Sequence, residues 1–317
     1  MTMKAQHLEC ALRNHLDQMV FGMERIIHGL CVALIAGGHV LLQGPPGLGK
    51  TLLAKSLAAK LGGTFKRIQG TTDLMPSDIT GLHVYDREAN KFEFVPGPLF
   101  ADVVLVDEIN RIGPKTQSAL LQAMEECQVS IDRQTYPLPD DFFVIATQNP
   151  HEFEGTFPLP EAQLDRFLLR LEVTYPEPVM EQQVMRTYDL PRGGHAKFTT
   201  SASELPKSSV DDARREVEGT HVSDCMYRYV TDIAGASRVH PHVSLGASTR
   251  GALGVMRCAR IEAALRGGDF VTPDDVKAVA QFVLAHRLVL TPDALLEGIQ
   301  ASQVVEEILG QVPVPRE

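Results

Sequence analysis

Eight residues, GPPGLGKT from Gly44 to Thr51, lie between an apolar run, HVLLQ (His39–Gln43), and a helical pattern, LLAKSLAAKL (Leu52–Leu61). Glycines let a backbone wrap closely around an anion, and the helix that follows adds its positive N-terminal end. The spacing G-x-x-x-x-G-K-T supplies a lysine to neutralise phosphate and a hydroxyl to reach Mg2+. Gly44, Pro45, Pro46, Gly47, Leu48, Gly49, Lys50, Thr51 and Leu52 are the expected phosphate-binding set. The plainer alternative is a Gly/Pro turn that merely leads into a helix.

Three further places carry chemistry. In VVLVDEINR, four apolar residues end in Asp107 and Glu108, at the sheet edge where open α/β sheets bind ligands. Asp107 can share a Mg2+ shell with Thr51, and Glu108 can polarise an attacking water. The run FFVIATQNP ends in Asn149, which could position that water by hydrogen bonding or could simply form an Asn-Pro turn. Arg166 in EAQLDRF and Arg250 in GASTR offer planar, permanent charges for phosphate, or are ordinary surface arginines.

The elements that must position these residues follow from hydrophobic periodicity. HVLLQ, TFKRIQ (Thr64–Gln69), VVLV (Val103–Val106), FFVIAT (Phe142–Thr147) and LLRLEV (Leu168–Val173) alternate with helical patterns. That rhythm predicts a parallel sheet covered on both faces, an α/β layer structure. Two segments interrupt it. Ile79–Pro98 has two alternating runs around a polar tip, Asp86–Lys91, and Gln128–Leu138 turns near Asp132 and Arg133; each reads as an inserted β-hairpin. At Tyr175-Pro176-Glu177-Pro178 the strand signals stop. Helical patterns follow at Val210–Val239 in parts, Thr249–Leu265, Asp274–Leu288 and Ser302–Leu309, with a Pro/Gly/Ser/Thr-rich loop at Pro191–Ser209. Thr272-Pro273 and Thr291-Pro292 each place a capping hydroxyl before a proline at the first helical position. The expected division is an α/β core over 1–177 and an all-α domain over 178–317.

Composition limits the partners. The 317 residues are 44% hydrophobic, and 40 acidic against 30 basic side chains give a net charge of -10. This is a globular, acidic chain, which argues against a sequence-independent nucleic-acid surface. Five scattered cysteines, with no C-x-x-C, are expected to be buried thiols in a reducing compartment. No apolar stretch reads as a signal peptide or membrane span, so the expected location is cytoplasmic.

With these residues in view, the chain resembles the MoxR family of AAA+ ATPases. The likeness runs from GGHVLLQGPPGLGKT through LMPSDITGLHVYD, FVPGPLFADVVLVDEINR, KTQSALLQAMEE and LPEAQLDRF to LGASTRGALGVMRCARIEAALRG, TPDDVKAVA and HRLVL. It implies ATP and Mg2+ as cofactors, Gly44–Thr51 as Walker A and Asp107-Glu108 as Walker B. It also implies Asn149 as sensor 1, Arg166 as an arginine finger, Arg250 as sensor 2, and Val20, Phe21 and Gly22 against the adenine. The hairpins would be the family's helix-2 insert and pre-sensor-1 insert. Family members are chaperone-like, so the resemblance implies a homo-oligomeric ring, a hexamer, with a von Willebrand factor A domain protein and a client enzyme as partners. Two other classes share the fold: a nucleic-acid motor and a nucleotide-gated scaffold that does not hydrolyse. The mixed charge of the hairpin tips speaks against the first, and the competent residue at every candidate catalytic position against the second. One departure, Gly70 where a bulkier residue is expected, puts the geometry of the first insert in question.

Overall fold

The apolar runs at Val40, Val103 and Phe143 become strands because their residues are shielded on both faces of one sheet, while the Phe65–Gln69 run lies at its edge with Lys66 and Arg67 exposed. In a computed structural model, residues 3–88, 90–132, 134–150, 152, 155–189 and 204–315 are described. Most of the loop expected at Pro191–Ser209, and Arg133 at the second hairpin turn, lie outside the described residues.

Helices α1 (Lys4–Leu16) and α2 (Glu24–Ala36) precede β1 (Val40–Gln43), α3 (Lys50–Leu61), β2 (Phe65–Gln69) and a short α4 (Pro76–Thr80). The hairpin β3 (Gly81–Asp86) and β4 (Lys91–Pro96) follows, then β5 (Val103–Asp107), α5 (Pro114–Glu126), and the hairpin β6 (Gln128–Ile131) and β7 (Gln134–Pro137). The α/β part closes with β8 (Phe143–Gln148), α6 (Glu161–Leu164) and β9 (Leu169–Glu172). Beyond it come α7 (Pro178–Tyr188), α8 (Ser209–Glu218), α9 (Asp224–Val239), β10 (Val243–Leu245), α10 (Thr249–Leu265), α11 (Pro273–Leu284), β11 (Val289–Leu290), α12 (Pro292–Leu296) and α13 (Ala301–Gln311).

The five-stranded sheet has the order β2-β5-β8-β1-β9, all parallel. Successive side chains of a strand point to opposite faces, and the core divides accordingly. Val40, Leu42, Val103, Leu105, Ile145 and Leu171 join α1, α2, α3 and the C-terminal helices in one apolar cluster. Leu41, Val104, Val106, Val144 and Ala146 join α5 and the segments around the hairpins in the other. Both hairpins form as expected, β3 with β4 and β6 with β7.

Among the described residues the C-terminal region is helical with a two-stranded ladder, Val243↔Leu290 and Leu245↔Val289, and an isolated bridge, His221↔Phe270, a small correction to an all-α reading. Its helix starts are built as the sequence indicates. The Thr272 hydroxyl accepts from Asp275 N while the Asp275 carboxylate accepts from Thr272 N, a capping box, and Thr291 caps α12 through Ala294 N. The cysteines are corrected more substantially. All are free, but only Cys31 and Cys258 are buried, while Cys10 and Cys127 are exposed. Cys10 and Cys127 sit at a helix surface and a helix end, positions that no core packing covers. No described helix is long and apolar enough to cross a membrane.

One polar clamp ties the N-terminal helices to the C-terminal ones. His28 of α2 places Nδ1 2.6 Å from Glu9 of α1 and Nε2 2.6 Å from Glu262 of α10. The bonds to Glu262 and Glu9 outweigh burial and raise the imidazole pKa to about 10. A protonated ring donates through both nitrogens, so the clamp is an ion triad. Its contribution is full below the unfolded histidine value near ~6.5 and is lost as pH rises through about 10. Replacing His28 by Gln should therefore cost about 2 kcal/mol at neutral pH. The difference in melting temperature between wild type and His28→Gln should shrink steadily as the pH is raised toward 10. A difference independent of pH would remove the ionic part of this account.

Candidate functional site

The turn from β1 into α3 is possible because its glycines take left-handed backbone angles, φ +85° at Gly47 and +78° at Gly49. A side chain at either would strain the loop. The loop ends with Lys50, which is 9% exposed and donates from Nζ to the Gly44 carbonyl at 2.7 Å, curling the ammonium back over the loop. Burial lowers its pKa, while the charges of Asp107 and Glu108 oppose that shift. Leu48 and Leu52 anchor the loop by packing partly into the apolar core.

Because β8 lies between β5 and β1, the ends of these three strands are adjacent. Asp107 and Glu108, the phosphate loop, and Asn149 directly after β8 are thus brought to one edge. Thr51 Oγ1 points to Asp107 Oδ2 at 3.4 Å. Thr147 is a residue that the sequence reading passed over. Its hydroxyl donates to Asp107 Oδ1 at 2.7 Å and accepts from the backbone N–H of Glu108 at 2.9 Å, fixing both acids from a buried position.

Glu108 itself has φ +57° and ψ +54°, a left-handed conformation that costs roughly 1–2 kcal/mol in a non-glycine residue. Such strain at a strand end is the kind stored at functional sites. Around Glu108 stand Gln69, donating from Nε2 to Oε2 at 3.2 Å, and Arg111, with Nε 3.3 Å from the same oxygen. Arg111 also pairs with Glu152.

Gly70 has its reason here. A Cβ at this position would lie 2.2 Å from the Glu108 carbonyl oxygen and 2.7 Å from that of Asp107. The Gly70 N–H donates to the Asp107 carbonyl at 2.7 Å. The glycine that looked anomalous lets β2 close against the two acids.

Thr51 and Asp107 together offer oxygen donors of the kind a hard divalent cation takes. Among the described residues no three His, Cys, Asp or Glu side chains converge as a metal-holding group. A cation here would draw the rest of its shell from phosphate and water, which suits magnesium.

Of the expected adenine-side residues, Val20 and Gly22 reach this edge. Val20 is buried beside the loop, its Cγ1 3.7 Å from where a Cβ of Gly49 would stand, and Gly22 packs against Pro176 and Met180. Tyr188 of α7 donates to the Met19 carbonyl at 2.7 Å, holding α7 against the same segment.

The two candidate arginines are not at this edge. Arg166 precedes β9, and its Nε lies 3.1 Å from Glu125 Oε2; Arg250, at the start of α10, donates from Nη1 to Glu125 Oε1 at 3.0 Å. Glu125, another residue the sequence reading passed over, thus holds both. It sits next to Met124, whose carbonyl is 3.0 Å from Nε2 of His39, the residue before β1. His39 Nδ1 accepts from the Val144 N–H, so the ring is neutral with its proton on Nε2, and burial lowers its pKa to about 4. The arginine cluster therefore belongs to the N-terminal edge of the sheet and the phosphate loop to the C-terminal edge. The four residues of β1 separate them, roughly 13 Å at ~3.3 Å per residue.

Arg287, in the HRLVL segment, secures this second edge. It is buried, donates from Nε to Asp165 Oδ1 at 2.6 Å, and reaches the carbonyls of Phe167 at 2.7 Å and Leu168 at 3.0 Å. The segment carrying Arg166 is in this way tied to the C-terminal helices.

Comparison with known proteins finds matches to both parts of the chain. Residues 39–169 match the ATPase family associated with various cellular activities (AAA), and residues 235–308 match the AAA lid domain. An uncharacterized protein, YeaC, of Bacillus subtilis is 46% identical over 95% of this chain and 93% of its own. Chaperone MoxR1 of Mycobacterium tuberculosis is 41% identical over 94% of this chain and 80% of its own. The crystal structure of a candidate ATPase from Cytophaga hutchinsonii superposes with a TM-score of 0.89 at 37% identity, covering 99% of this chain and 97% of that one. The chain, an AAA domain followed by an AAA lid, belongs to the MoxR family of AAA+ ATPases.

Proposed function

We propose that this protein is a Mg2+-dependent ATPase that works as a homo-oligomeric ring, a hexamer, in chaperone-like maturation or assembly of a protein partner. The observation that carries this reading is the division of the candidate residues between two opposite edges of one sheet. Lys50, Thr51, Asp107, Glu108 and Asn149 gather at the loop edge, and Glu125 holds Arg166 and Arg250 at the other. Arginines a strand length away from their own phosphate loop support action on the nucleotide of a neighbouring subunit, Arg250 together with Arg166.

In this reading the N–H groups of Gly44–Thr51 and the Lys50 ammonium hold the phosphates. Thr51 and Asp107 hold the magnesium ion, which when bound neutralises phosphate oxygens. Glu108 orients and polarises the attacking water, and Asn149 hydrogen-bonds it. Val20, Phe21 and Gly22 lie against the adenine. We divide the chain into a nucleotide-binding core, 1–177, and a lid, 178–317, whose rotation follows the bound and lost γ-phosphate. We place the protein in the cytoplasm.

The hairpins are the surface on which we expect the partner, a von Willebrand factor A domain protein or its client enzyme. They interlock: His83 lies 3.0 Å from Asp132 and 3.1 Å from the Tyr136 hydroxyl, and Phe94 stacks on Tyr136 at 4.1 Å. Their surface exposes Leu82, Val84 and Val95, the rings of Tyr85 and Phe92, and polar tips. This apolar surface suits a protein more than a phosphate backbone, which calls for clustered Lys and Arg.

ATPase activity at about 50 mM salt should be insensitive to single- or double-stranded DNA and RNA, because a phosphate-tracking contact would respond most strongly there. A pull-down with Glu108→Gln in ATP should enrich the partner, and Lys50→Ala, unable to hold nucleotide, should not. Several-fold stimulation by nucleic acid, lost on replacing Arg87, Lys91 and Arg133, would turn the assignment toward a motor.

A further inference from the structure

Asp107 has a neighbour that the chemistry above leaves unused. Arg67 of β2 donates to Asp107 Oδ2 from Nε at 3.1 Å and from Nη2 at 2.7 Å. Thr51 Oγ1 approaches the same oxygen at 3.4 Å, while Oδ1 is held by Thr147. Three donors therefore crowd a single carboxylate oxygen. Arg67 Nη2 also donates to Gln69 Oε1 at 2.6 Å, which keeps the guanidinium in place.

Its position is that of a part that can leave. Among the described residues β2 is the outermost strand of the sheet and pairs with β5 alone. The Arg67 side chain is 47% exposed, against 16% for Asp107, so the guanidinium can swing into solvent without unpacking the core. A half-exposed ion pair is weak in water.

We propose that Arg67 is a positioning residue that occupies Asp107 Oδ2 until a divalent cation takes that oxygen, and so sets the metal dependence of nucleotide binding. The proposal rests on the reading of Thr51 and Asp107 as the pair that holds magnesium. A cation shared by these two residues needs the lone pairs to which Arg67 donates, and two positive groups on one carboxylate oxygen repel. Arg67 and the cation are therefore alternatives. With Arg67 in place, Asp107 meets an incoming polyphosphate as half of an ion pair. Without it, Asp107 faces the phosphates as a bare anion beside Glu108, with Lys50 alone as counter-charge.

The test is titration of the fluorescent nucleotide mant-ADP into wild type, Arg67→Ala and Arg67→Lys, each in excess Mg2+ and in excess EDTA, with circular dichroism to verify the fold. Arg67→Ala should keep the wild-type affinity in Mg2+ and lose about five- to tenfold in EDTA, the size of one charge-assisted hydrogen-bonded contact. Arg67→Lys, which keeps the charge but not the fork, should fall between. An equal loss in both buffers, or no loss in either, would overturn the proposal. A wild-type protein that binds no mant-ADP in either buffer would overturn the nucleotide reading and this proposal with it, a pattern distinct from both.

Discussion

Arg166→Ala should lower ATP turnover by roughly 10³ to 10⁵, the range in which an arginine supplied by a neighbouring molecule acts. The fold should survive, because among the described residues the side chain is tied to the protein by a partly exposed carboxylate contact, to Glu125. If the arginine serves the adjacent subunit, specific activity of the wild type rises with protein concentration, while Arg166→Ala stays inactive even when oligomeric. Mixing settles the direction. Arg166→Ala subunits retain an intact phosphate loop and Lys50→Ala subunits retain the arginine, so mixed rings should recover part of the activity. Co-assembled mixtures that remain inactive would count against action in trans. Side chains fixed at opposite ends of β1 cannot meet on one phosphate without taking the sheet apart.

Glu108→Gln should separate binding from hydrolysis. The carboxamide keeps the shape of the side chain and can still accept from Gln69 Nε2, so the surrounding contacts change little. It cannot draw a proton from water as a carboxylate does, and turnover should fall by about 10² or more. Nucleotide affinity, read with a fluorescent ATP analogue, should stay near wild type, and nucleotide-loaded oligomers should accumulate. Hydrolysis at the wild-type rate would reduce Glu108 to a solvated strand end and leave its left-handed backbone without a chemical purpose.

Much of the fold could be read in the chain because the relevant forces are local. The five sheet strands form within a residue or two of their predicted runs, since the central parallel strands, buried on both faces, are continuously apolar, while the edge strand β2 buries Ile68 and leaves Lys66 and Arg67 exposed. Helix α10 begins and ends where its periodicity does, and the hydroxyl-proline pairs cap α11 and α12 because a cap involves only three or four consecutive residues. Other elements were less legible. Helix α7 buries none of its residues, and the β10–β11 ladder joins segments too short to show alternation. The exposure of Cys10 and Cys127 could not be inferred from residue type, because cysteine packs or faces solvent according to its surroundings.

The sequence by itself determined the glycine-rich turn between β1 and α3 and the identity of the acids at the strand end, because eight consecutive residues carry the one and a four-residue apolar run places the other. Tertiary structure alone decided which residues hold them. Thr147 and Arg67, each 40 residues from Asp107, converge on its two oxygens only because β8 and β2 flank β5 in the sheet. Gly70 is explained by two carbonyls that approach it from that same neighbouring strand. Glu125 and Arg250, 125 residues apart, meet because the lid helix packs at the N-terminal edge of the core. A side chain's partners across a fold are set by strand order and helix docking, and neither is written in the spacing of the residues that meet.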